Sequence, residues 1–325
     1  MNARPLGSDG LRVPEVGLGC WQLGGGWGND WDNEVAQQTL ETAYQAGVRF
    51  IDTADVYGDG ASERSIGEFL RKRADITVAT KLGRAGIYPD NYTRATLRSA
   101  TLHSLERLGV EQLDLTQLHC VPTEVLRRGE VFEWLRELRQ EGLIKRFGAS
   151  VESCEEGLIC LEQEGLSSLQ IIFNVFRQKP LEQLLPRAAA AGVGIIVRLP
   201  LASGLLSGKI TRATQFRADD HRNFNRDGAH FNVGETFAGL ELDKGIALAE
   251  QVAALVPPST TMAQLALRWI LDQEAVSVVI PGASSPAQVQ GNVSAAALAR
   301  LPEELHQQLA TLYREQVSAL IRGPY

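Results

Sequence analysis

The feature that most constrains the fold of this chain is a repeated alternation of two kinds of segment. Short apolar runs rich in β-branched residues alternate with longer stretches whose apolar residues recur with helical spacing. The apolar runs are residues 16–18, 48–51, 76–79, 113–118, 146–149, 169–173, 194–197 and 276–280. Most of them are continuously apolar, which indicates strands buried on both faces. Strands that alternate with helices predict a parallel sheet joined by helical crossovers.

The number of these units predicts the architecture. Eight strand–helix units favour a (β/α)8 TIM barrel over an open doubly wound sheet. The turn signal at residues 8–10 predicts an N-terminal β-hairpin within residues 3–19, which would plug the bottom of the barrel. Residues 203–242 form a long polar loop after strand seven, and residues 302–321 an extra C-terminal helix. Because no stretch rich in Pro, Gly or Ser divides the chain, we expect residues 1–325 to form a single domain.

Composition and charge exclude several classes of protein. The content of 44% hydrophobic and 22% charged residues is typical of a globular protein, and the net charge of −7 argues against sequence-independent binding of nucleic acid. No apolar run reaches the length of about 18 residues needed to cross a membrane, and residues 1–10 lack the apolar stretch of a secretory signal. The cysteines, at positions 20, 120, 154 and 160, are too few and too scattered for a disulfide scaffold. We therefore expect a cytoplasmic protein with reduced thiols and with neither nucleic acid nor membrane as a partner.

Polar side chains stand at the carboxyl ends of three successive predicted strands. Asp52 follows the second strand directly, and Tyr57 comes five residues later on the loop. Lys81 follows the third strand, and His119 ends the fourth. Taken singly, such residues are more often structural than catalytic. Because consecutive strands of a barrel are neighbours and catalytic residues lie at their carboxyl ends, the four side chains together predict an active site.

These four residue types fit a proton-coupled reduction. A free tyrosine has a pKa near 10, and a nearby ammonium such as that of Lys81 lowers it. Asp52 can hold Lys81 in place and offset its charge. A neutral His119 can donate a hydrogen bond to a carbonyl oxygen, and Tyr57 can then deliver the proton as general acid. None of these groups supplies electrons, so the reaction needs an outside hydride donor such as a nicotinamide cofactor.

Several segments together resemble the aldo-keto reductase family. They are Phe50-Ile51-Asp52-Thr53-Ala54 with Tyr57-Gly58 and Ser62-Glu63, then Ala79-Thr80-Lys81, Gln117-Leu118-His119, residues 201–209 (LASGLLSGK) and residues 280–292 (IPGASSPAQVQGN). The resemblance covers the chain from about residue 5 to about residue 320. It is closer to the bacterial reductases and the potassium-channel beta subunits than to the mammalian aldose reductases.

The resemblance implies a fold, a cofactor and a set of site residues. The fold would be the (β/α)8 barrel, and the catalytic tetrad would be Asp52, Tyr57, Lys81 and His119. NADPH would lie in extended form across the top of the barrel, pass a hydride to the carbon of an aldehyde or ketone, and leave Tyr57 to protonate the oxygen; no metal is implied. The implied cofactor-binding residues are Gly19, Cys20, Trp21, Asp52, Ser150, Gln170, Arg198, Pro200, Leu201, Gly204, Leu206, Ser207, Gly208, Lys209, Gly282, Ser284, Gln288 and Asn292.

The resemblance assigns the two ends of the cofactor to different segments. Ser150 and Gln170 would hold the carboxamide of the nicotinamide. Gly282 and Ser284 precede a helix predicted to begin near residue 285, and a helix N-terminus suits a phosphate. Many members of the family carry Lys or Arg where this chain has Ser284 and Gln288. NADPH is therefore the expected cofactor, and NADH stays open as the alternative.

Two features depart from the family's pattern. Arg198 stands where many members stack an aromatic ring on the nicotinamide; a planar guanidinium can also stack, and the alternative is a salt bridge at the barrel end. Residues 203–230 contain five basic and three acidic residues, which favours a clamp over the cofactor's pyrophosphate, with a solvated loop as the alternative. Trp27, Trp31 and Phe224 are candidate walls of the substrate pocket.

Other classes of function explain the sequence less well. Residues 17–22 begin like a dinucleotide fingerprint but lack its third glycine, which argues against a Rossmann domain. The five histidines show no metal-ligand spacing. The main rival is a nicotinamide-binding regulatory or sensor subunit with little turnover. The resemblance argues against it, because the channel beta subunits replace the histidine that is present here as His119. We expect a small aldehyde or ketone as substrate and a monomer or small homo-oligomer.

Overall fold

The structure, a computed structural model, describes residues 1–25 and 32–325 and begins with a small antiparallel hairpin. Its strands are β1 (Ala3–Pro5) and β2 (Arg12–Pro14). Leu6 and Val13 are buried against apolar side chains that point into the barrel, among them Phe50 and Ile196. The hairpin therefore closes one end of the barrel, as predicted, but it ends at Pro14 and not within the barrel strand that follows.

Eight parallel strands follow, and each pairs with the next along the chain. They are β3 (Leu18–Gly19), β4 (Phe50–Asp52), β5 (Thr77–Leu82), β6 (Leu115–His119), β7 (Phe147–Ser150), β8 (Leu166–Ile172), β9 (Gly194–Arg198) and β10 (Val276–Val279). The first and last strands meet through two parallel bridges, Val16–Val279 and Gly19–Gly282. The sheet thus closes into a barrel, which confirms the (β/α)8 architecture.

Helices surround the barrel. They are α1 (Asn33–Gln45), α2 (Ala61–Leu70), α3 (Arg94–Leu108), α4 (Thr123–Arg128), α5 (Glu130–Gln140), α6 (Cys154–Leu161), α7 (Leu184–Ala190), α8 (His221–Phe224), α9 (Leu242–Ala253), α10 (Met262–Leu271), α11 (Pro286–Ser294) and α12 (Glu303–Leu312). The predicted C-terminal helix is α12, which continues through a π turn at Tyr313–Val317 and a short 3-10 helix at Ser318–Leu320. Within the described part of the chain, no helix combines the length and apolar character that crossing a membrane requires.

Local sequence signals set the ends of many helices. Asp32 caps α1 by accepting hydrogen bonds from the backbone amides of Glu34 and Val35. Thr93 and Thr261 form capping boxes at the starts of α3 and α10. These caps satisfy backbone amides that have no partner inside the helix, so the turns that precede the helices are fixed by neighbouring residues.

The structure shifts several predicted boundaries. Lys81 lies inside β5, which runs to Leu82, because residues 79–82 all pair with β6. The fourth barrel strand begins at Leu115 and not at Leu113, since Leu113 makes only an isolated bridge to Ile144. The predicted loop at residues 203–242 also contains short helices, at Ala202–Ser207, His221–Phe224, Val233–Glu235 and Phe237–Gly239.

Candidate active site

Strand register brings the predicted tetrad to one end of the barrel. Asp52 is the last residue of β4 and pairs in register with Ala79 of β5. Lys81 pairs with Gln117 of β6, and His119 is the last residue of that strand. Tyr57 lies on the loop between β4 and α2. Because parallel strands end at the same edge, these side chains meet at the carboxyl end of the barrel.

The Lys81 ammonium holds the centre of the site. It donates hydrogen bonds to Asp52 Oδ1 at 2.5 Å, to the Thr53 carbonyl at 2.8 Å and to the Tyr57 hydroxyl at 3.2 Å. Its side chain is only 1% exposed. A buried ammonium is stable only with such partners. The contacts that the sequence predicted for Lys81, with Asp52 and with Tyr57, are both present.

The second oxygen of Asp52 is held by two amides. Asp52 Oδ2 accepts hydrogen bonds from Gln170 Nε2 at 2.7 Å and from Gln117 Nε2 at 3.3 Å. Ser150 Oγ donates to the other atom of the same amide group, Gln170 Oε1, at 3.4 Å. The carboxylate therefore has partners on both oxygens, which fixes its orientation towards Lys81.

Burial and neighbouring charges together set the pKa values of Lys81 and Tyr57. Burial alone would lower the pKa of Lys81, but the Asp52 carboxylate and Tyr57 reverse this, and the pKa lies above its ordinary value. Burial raises the pKa of Tyr57, and the Lys81 ammonium only partly opposes it. The expectation that Lys81 sets a net lowered tyrosine pKa is therefore wrong for this structure, because desolvation of the phenolate is the larger effect. Tyr57 holds its proton at neutral pH.

His119 is held in its neutral form. Burial lowers its pKa well below the ordinary value, and the charges of Lys81, Arg84 and Arg198 act in the same direction. Its ring lies edge-on to the Tyr57 ring, with centroids 5.8 Å apart. Within the described residues, His119 Nδ1 is buried without a hydrogen-bond partner. This arrangement places a neutral imidazole beside the tyrosine ring.

Two glycines fix the loop that carries Tyr57. Gly58 has a φ of +60°, and a Cβ atom there would lie 1.8 Å from the carbonyl oxygen of Gly24. The loop is also tied to the end of β3, since Ser62 Oγ donates to the Cys20 carbonyl at 2.8 Å. Ser62 and Gly58 belong to the motif that the sequence singled out, and the structure shows that both position Tyr57.

A second buried cluster lies next to the tetrad. Glu63 accepts hydrogen bonds from Thr80 Oγ1 at 2.5 Å and from Arg107 Nε at 2.6 Å. Near it lies Asp55, which is 6% exposed and whose two carboxylate oxygens have no hydrogen-bond partner in the described residues. Burial, reinforced by the charge of Glu63, raises the pKa of Asp55 to about 7. Asp55 was not among the residues predicted for the site, because an aspartate on a loop is expected to be exposed to solvent.

Comparison with known proteins decides the family. The model of the aldo/keto reductase family matches residues 15–314. The chain belongs to the aldo/keto reductase family. It is therefore an NAD(P)H-dependent oxidoreductase that acts on carbonyl and alcohol groups.

Individual relatives align with nearly the whole chain of this reductase. It is 32% identical to the NADH-specific methylglyoxal reductase of Escherichia coli (strain K12), over 99% of this chain and 100% of the relative. The glycerol dehydrogenase AKR11B4 from Gluconobacter oxydans has a similar structure, with a TM-score of 0.80, 28% identity and coverage of 99% and 98% of the two chains. The holo form of the aldo-keto reductase AKR11C1 from Bacillus halodurans gives a TM-score of 0.77, with 28% identity and 96% coverage of both chains.

Several residues implied as nicotinamide contacts lie around the tetrad of this aldo/keto reductase. Gly19 ends β3 and bridges to Gly282, and Trp21 follows on a 3-10 turn with its ring edge-on to His221. Ser150 is the last residue of β7 and pairs in register with Gln170 of β8, whose amide donates to Asp52. Cys20 is fully buried, and its thiol faces the Leu18 carbonyl. Its backbone amide donates to the Asp52 carbonyl and its carbonyl accepts from Ser62, so the implied contact of Cys20 with the cofactor stays a prediction.

Arg198 forms the barrel-end salt bridge that the sequence left as an alternative. Its guanidinium binds Glu235 at 2.5 Å and donates to the Val151 carbonyl at 3.0 Å. Arg198 Nε is buried and has no hydrogen-bond partner in the described chain. Stacking of this guanidinium on the nicotinamide stays a prediction.

The segment after β9 has an irregular backbone. Leu199, Ala202 and Ser203 have left-handed φ values of 51°, 49° and 55°. Ser203 Oγ donates to the Glu235 carbonyl at 3.0 Å and accepts from the Phe237 amide at 3.0 Å. Of the implied cofactor contacts in this segment, Pro200 and Leu206 are buried. Leu201, Gly204 and Ser207 are partly exposed, and Gly208 and Lys209 are exposed.

In the segment implied to bind the adenosine end of the cofactor, the residues hydrogen-bond to one another. The Ser284 amide and hydroxyl both donate to Gln288 Oε1, at 2.8 and 3.2 Å. The helix α11 begins at Pro286, close to the predicted start, with Ser285 as its cap, and Asn292 Nδ2 donates to the Gly282 carbonyl at 3.3 Å. One amide of this helix start is therefore already satisfied by a side chain that a phosphate would have to displace.

The charged insertion is partly neutralised by its own residues. Arg217 pairs with Asp219 at 3.1 Å, and Arg222 pairs with Asp220 at 2.5 Å. Lys209 and Arg212 are exposed. The clamp over the pyrophosphate stays a prediction that rests on these two exposed cations.

The candidate pocket walls were aromatic residues. Phe224 packs edge-on against His230 and Phe231, with ring centroids 5.1 and 6.3 Å away. Trp27 and Trp31 lie outside the described residues. The aromatic wall of the pocket is thus not tested by the structure.

Proposed function

We propose that this aldo/keto reductase catalyses the NADPH-dependent reduction of small aldehydes or ketones, with Tyr57 as general acid. The observation that carries the proposal is the hydrogen bond of 3.2 Å from Lys81 Nζ to the Tyr57 hydroxyl. The same ammonium is held by Asp52 at 2.5 Å, so the tyrosine is placed before any substrate arrives. A neutral His119 lies edge-on to the tyrosine ring.

The residues at this end of the barrel fit a nicotinamide cofactor. Ser150 and Gln170 offer a hydroxyl and an amide, the groups that a carboxamide requires. Gln22 Oε1 and Arg198 Nε are buried without partners in the described chain, which is typical of a binding site whose ligand supplies the partner. When bound, the cofactor supplies the hydride that reduces the carbonyl carbon.

The protein's own contribution is the proton and its position. Tyr57 keeps its proton at neutral pH, as any tyrosine does, and burial raises its pKa further. Lys81 opposes that effect, so it makes the proton easier to release when the carbonyl oxygen gains negative charge. His119, being neutral, can donate a hydrogen bond to the same oxygen and orient it. Asp52 keeps the ammonium in place throughout.

The substrate class follows from the site and from one relative. The E. coli relative is named as a methylglyoxal reductase, which supports a small aldehyde here. The test is the rate of NADPH oxidation by the purified protein with methylglyoxal and with simple short aldehydes. We expect turnover that depends on the aldehyde concentration and on Tyr57. Tight NADPH binding without turnover on any aldehyde would contradict the proposal and indicate a regulatory or sensor subunit.

We also propose that residues 1–325 form one domain in a reducing compartment. The hairpin packs into the barrel through Leu6, and Arg322 near the C-terminus donates to the carbonyl oxygens of Gly239 and Leu240 in the insertion. All four cysteines are free and buried. Limited proteolysis that released a stable fragment would contradict the single domain.

A further inference from the structure

Four charged residues lie next to the tetrad, and of these the sequence had singled out only Arg198, as an implied contact of the nicotinamide. Arg84 and Glu152 form an ion pair at 3.3 Å, and Arg198 and Glu235 form another at 2.5 Å. Carboxylate oxygens of Glu152 and Glu235 lie within 4.8 Å of one another and of Cys120 Sγ. The two ion pairs are therefore adjacent, and we call the four residues the charge cluster.

The charge cluster contacts the backbone of His119 and of the next residue, Cys120. Arg84 donates to the carbonyl oxygens of His119 and Cys120, at 3.1 and 3.3 Å. Arg198 approaches Cys120 Sγ at 3.7 Å. The charges also act on the reacting groups, since both arginines lower the pKa of His119 and Glu235 raises that of Tyr57. A substrate whose carbonyl lies between Tyr57 and His119 thus has the charge cluster as a neighbour.

The charge cluster is accessible to solvent, and its positive and negative charges are equal in number. The side chains of Arg84, Glu152 and Glu235 are 24%, 20% and 23% exposed, and that of Arg198 is 11% exposed. Two positive and two negative groups give it no net charge. An apolar substrate would remove water from these groups without replacing its hydrogen bonds. An anionic substrate would meet two carboxylates whose arginine partners are already engaged.

From this arrangement, and resting on the proposed function, we propose that the reductase selects small neutral carbonyl compounds that carry a hydroxyl on the adjacent carbon. Glu235 is the specificity-determining residue, because its carboxylate fixes Arg198 and can itself accept a hydrogen bond from the substrate. It reaches the site from the insertion, where Ser203 holds its carbonyl. The chemical step is unchanged: hydride from the cofactor to carbon, and a proton from Tyr57 to oxygen.

Three aldehydes of nearly equal size test the proposal. Glycolaldehyde carries a hydroxyl where propanal carries a methyl group, and glyoxylate carries a carboxylate. We would measure kcat/KM for each with NADPH, expressed per free aldehyde as determined by proton NMR. The proteins are the wild type, Glu235→Gln and the control Asp219→Asn. Asp219 is an acidic residue of the same insertion that forms an exposed ion pair with Arg217.

We expect the wild type to prefer glycolaldehyde to propanal by about 10-fold or more, because a site built for a hydroxyl rejects the analogue without one. Glyoxylate should also be disfavoured against glycolaldehyde. In Glu235→Gln the preference for glycolaldehyde over propanal should fall by about fivefold or more, mainly through KM for glycolaldehyde. Asp219→Asn should keep the wild-type ratio. Comparing ratios between proteins removes the intrinsic reactivity of each aldehyde.

The outcomes separate this inference from the proposed function. An active enzyme with no preference for glycolaldehyde, or one that prefers propanal or glyoxylate, would overturn the inference alone. A preference that survives in Glu235→Gln would overturn the role of Glu235. If that variant does not fold, Glu235→Asp tests the same position, and a loss of preference is again expected because the shorter side chain withdraws the carboxylate. Absence of turnover with all three aldehydes would overturn both proposals.

Discussion

The ammonium nitrogen of Lys81 lies 3.2 Å from the hydroxyl oxygen of Tyr57. Lys81 is held there by Asp52 and by the Thr53 carbonyl, neither of which needs a substrate to be present. The loop that carries Tyr57 is fixed independently, by the close approach of Gly58 to Gly24. The proton donor of the proposed reaction is thus held by two separate sets of contacts, one electrostatic and one steric.

Tyr57→Phe removes the transferable proton and leaves the ring in place. We expect NADPH binding close to that of the wild type, and a loss of kcat of about 100-fold or more, since general acid catalysis contributes roughly that much. Quenching of protein fluorescence measures the binding, and NADPH oxidation with a short aldehyde measures kcat. A variant with near-normal kcat would contradict the role of Tyr57.

Lys81→Met removes the charge that opposes the raised pKa of Tyr57. The alkaline limb of the pH dependence of kcat/KM should therefore move to higher pH. The variant should also lose about 3–5 kcal/mol of unfolding free energy, because the Asp52 carboxylate is left buried without its ammonium. Asp52→Asn is the matched control, since Asp52 raises the pKa of Tyr57 and its loss should move the limb the opposite way. Shifts in the same direction in both variants would rule out this electrostatic account.

Gly58→Ala tests the steric contact that holds the tyrosine loop. A Cβ atom at Gly58 would lie 1.8 Å from the Gly24 carbonyl oxygen, so the loop must move. We expect a loss of roughly 1–3 kcal/mol from overpacking, added to the cost of the left-handed backbone, and a reduced kcat. Gly86→Ala is the control, because Gly86 has a similar φ of +65° but nothing within 4 Å of the added atom. Equal effects of the two substitutions would show that the contact with Gly24 is unimportant.

Asp55→Asn tests the buried carboxyl group that has no hydrogen-bond partner. Because the folded-state pKa of about 7 lies above the ordinary value of 3.8, the folded protein binds more protons than the unfolded chain between these values. The free energy of unfolding of the wild type therefore falls as pH rises from about 4 to about 7. The variant should match the wild type near the lower limit and exceed it by up to about 4 kcal/mol above the upper one.

Urea denaturation at several pH values measures this difference. Asp59→Asn is the matched control, since Asp59 lies on the same loop but is exposed. A stability difference between Asp55→Asn and the wild type that does not grow with pH would show that Asp55 is not held protonated.

The cofactor preference depends on whether a phosphate can displace Gln288 from Ser284. We expect NADPH to bind more tightly than NADH, because the start of α11 offers backbone amides and a hydroxyl to a phosphate. Fluorescence titration of the wild type with both cofactors measures the ratio. Gln288→Ala frees the Ser284 amide and should increase the ratio; equal affinities in the wild type would remove the proposed selectivity.

Much of the site could be predicted because its residues follow a rule of the barrel. Asp52 and His119 end their strands, and Lys81 lies one residue from the end of its own. The same rule applies to Arg84 and Glu152, which follow β5 and β7 by two residues, yet neither belongs to a motif and both were missed. Glu235 carries no local signal at all, since it meets Arg198 only through the path of the insertion.

The sequence alone determined the order of strands and helices and the placement of the candidate tetrad at the carboxyl end of the barrel. These depend on spacing along the chain and on local hydrogen bonds, which neighbouring residues fix. Only the tertiary structure decided that the pKa of Tyr57 is raised, that Asp55 is buried without a partner and that Glu235 holds Arg198. These depend on how much water the surrounding atoms exclude and on charges brought together from distant segments, and neither quantity is encoded in any local pattern.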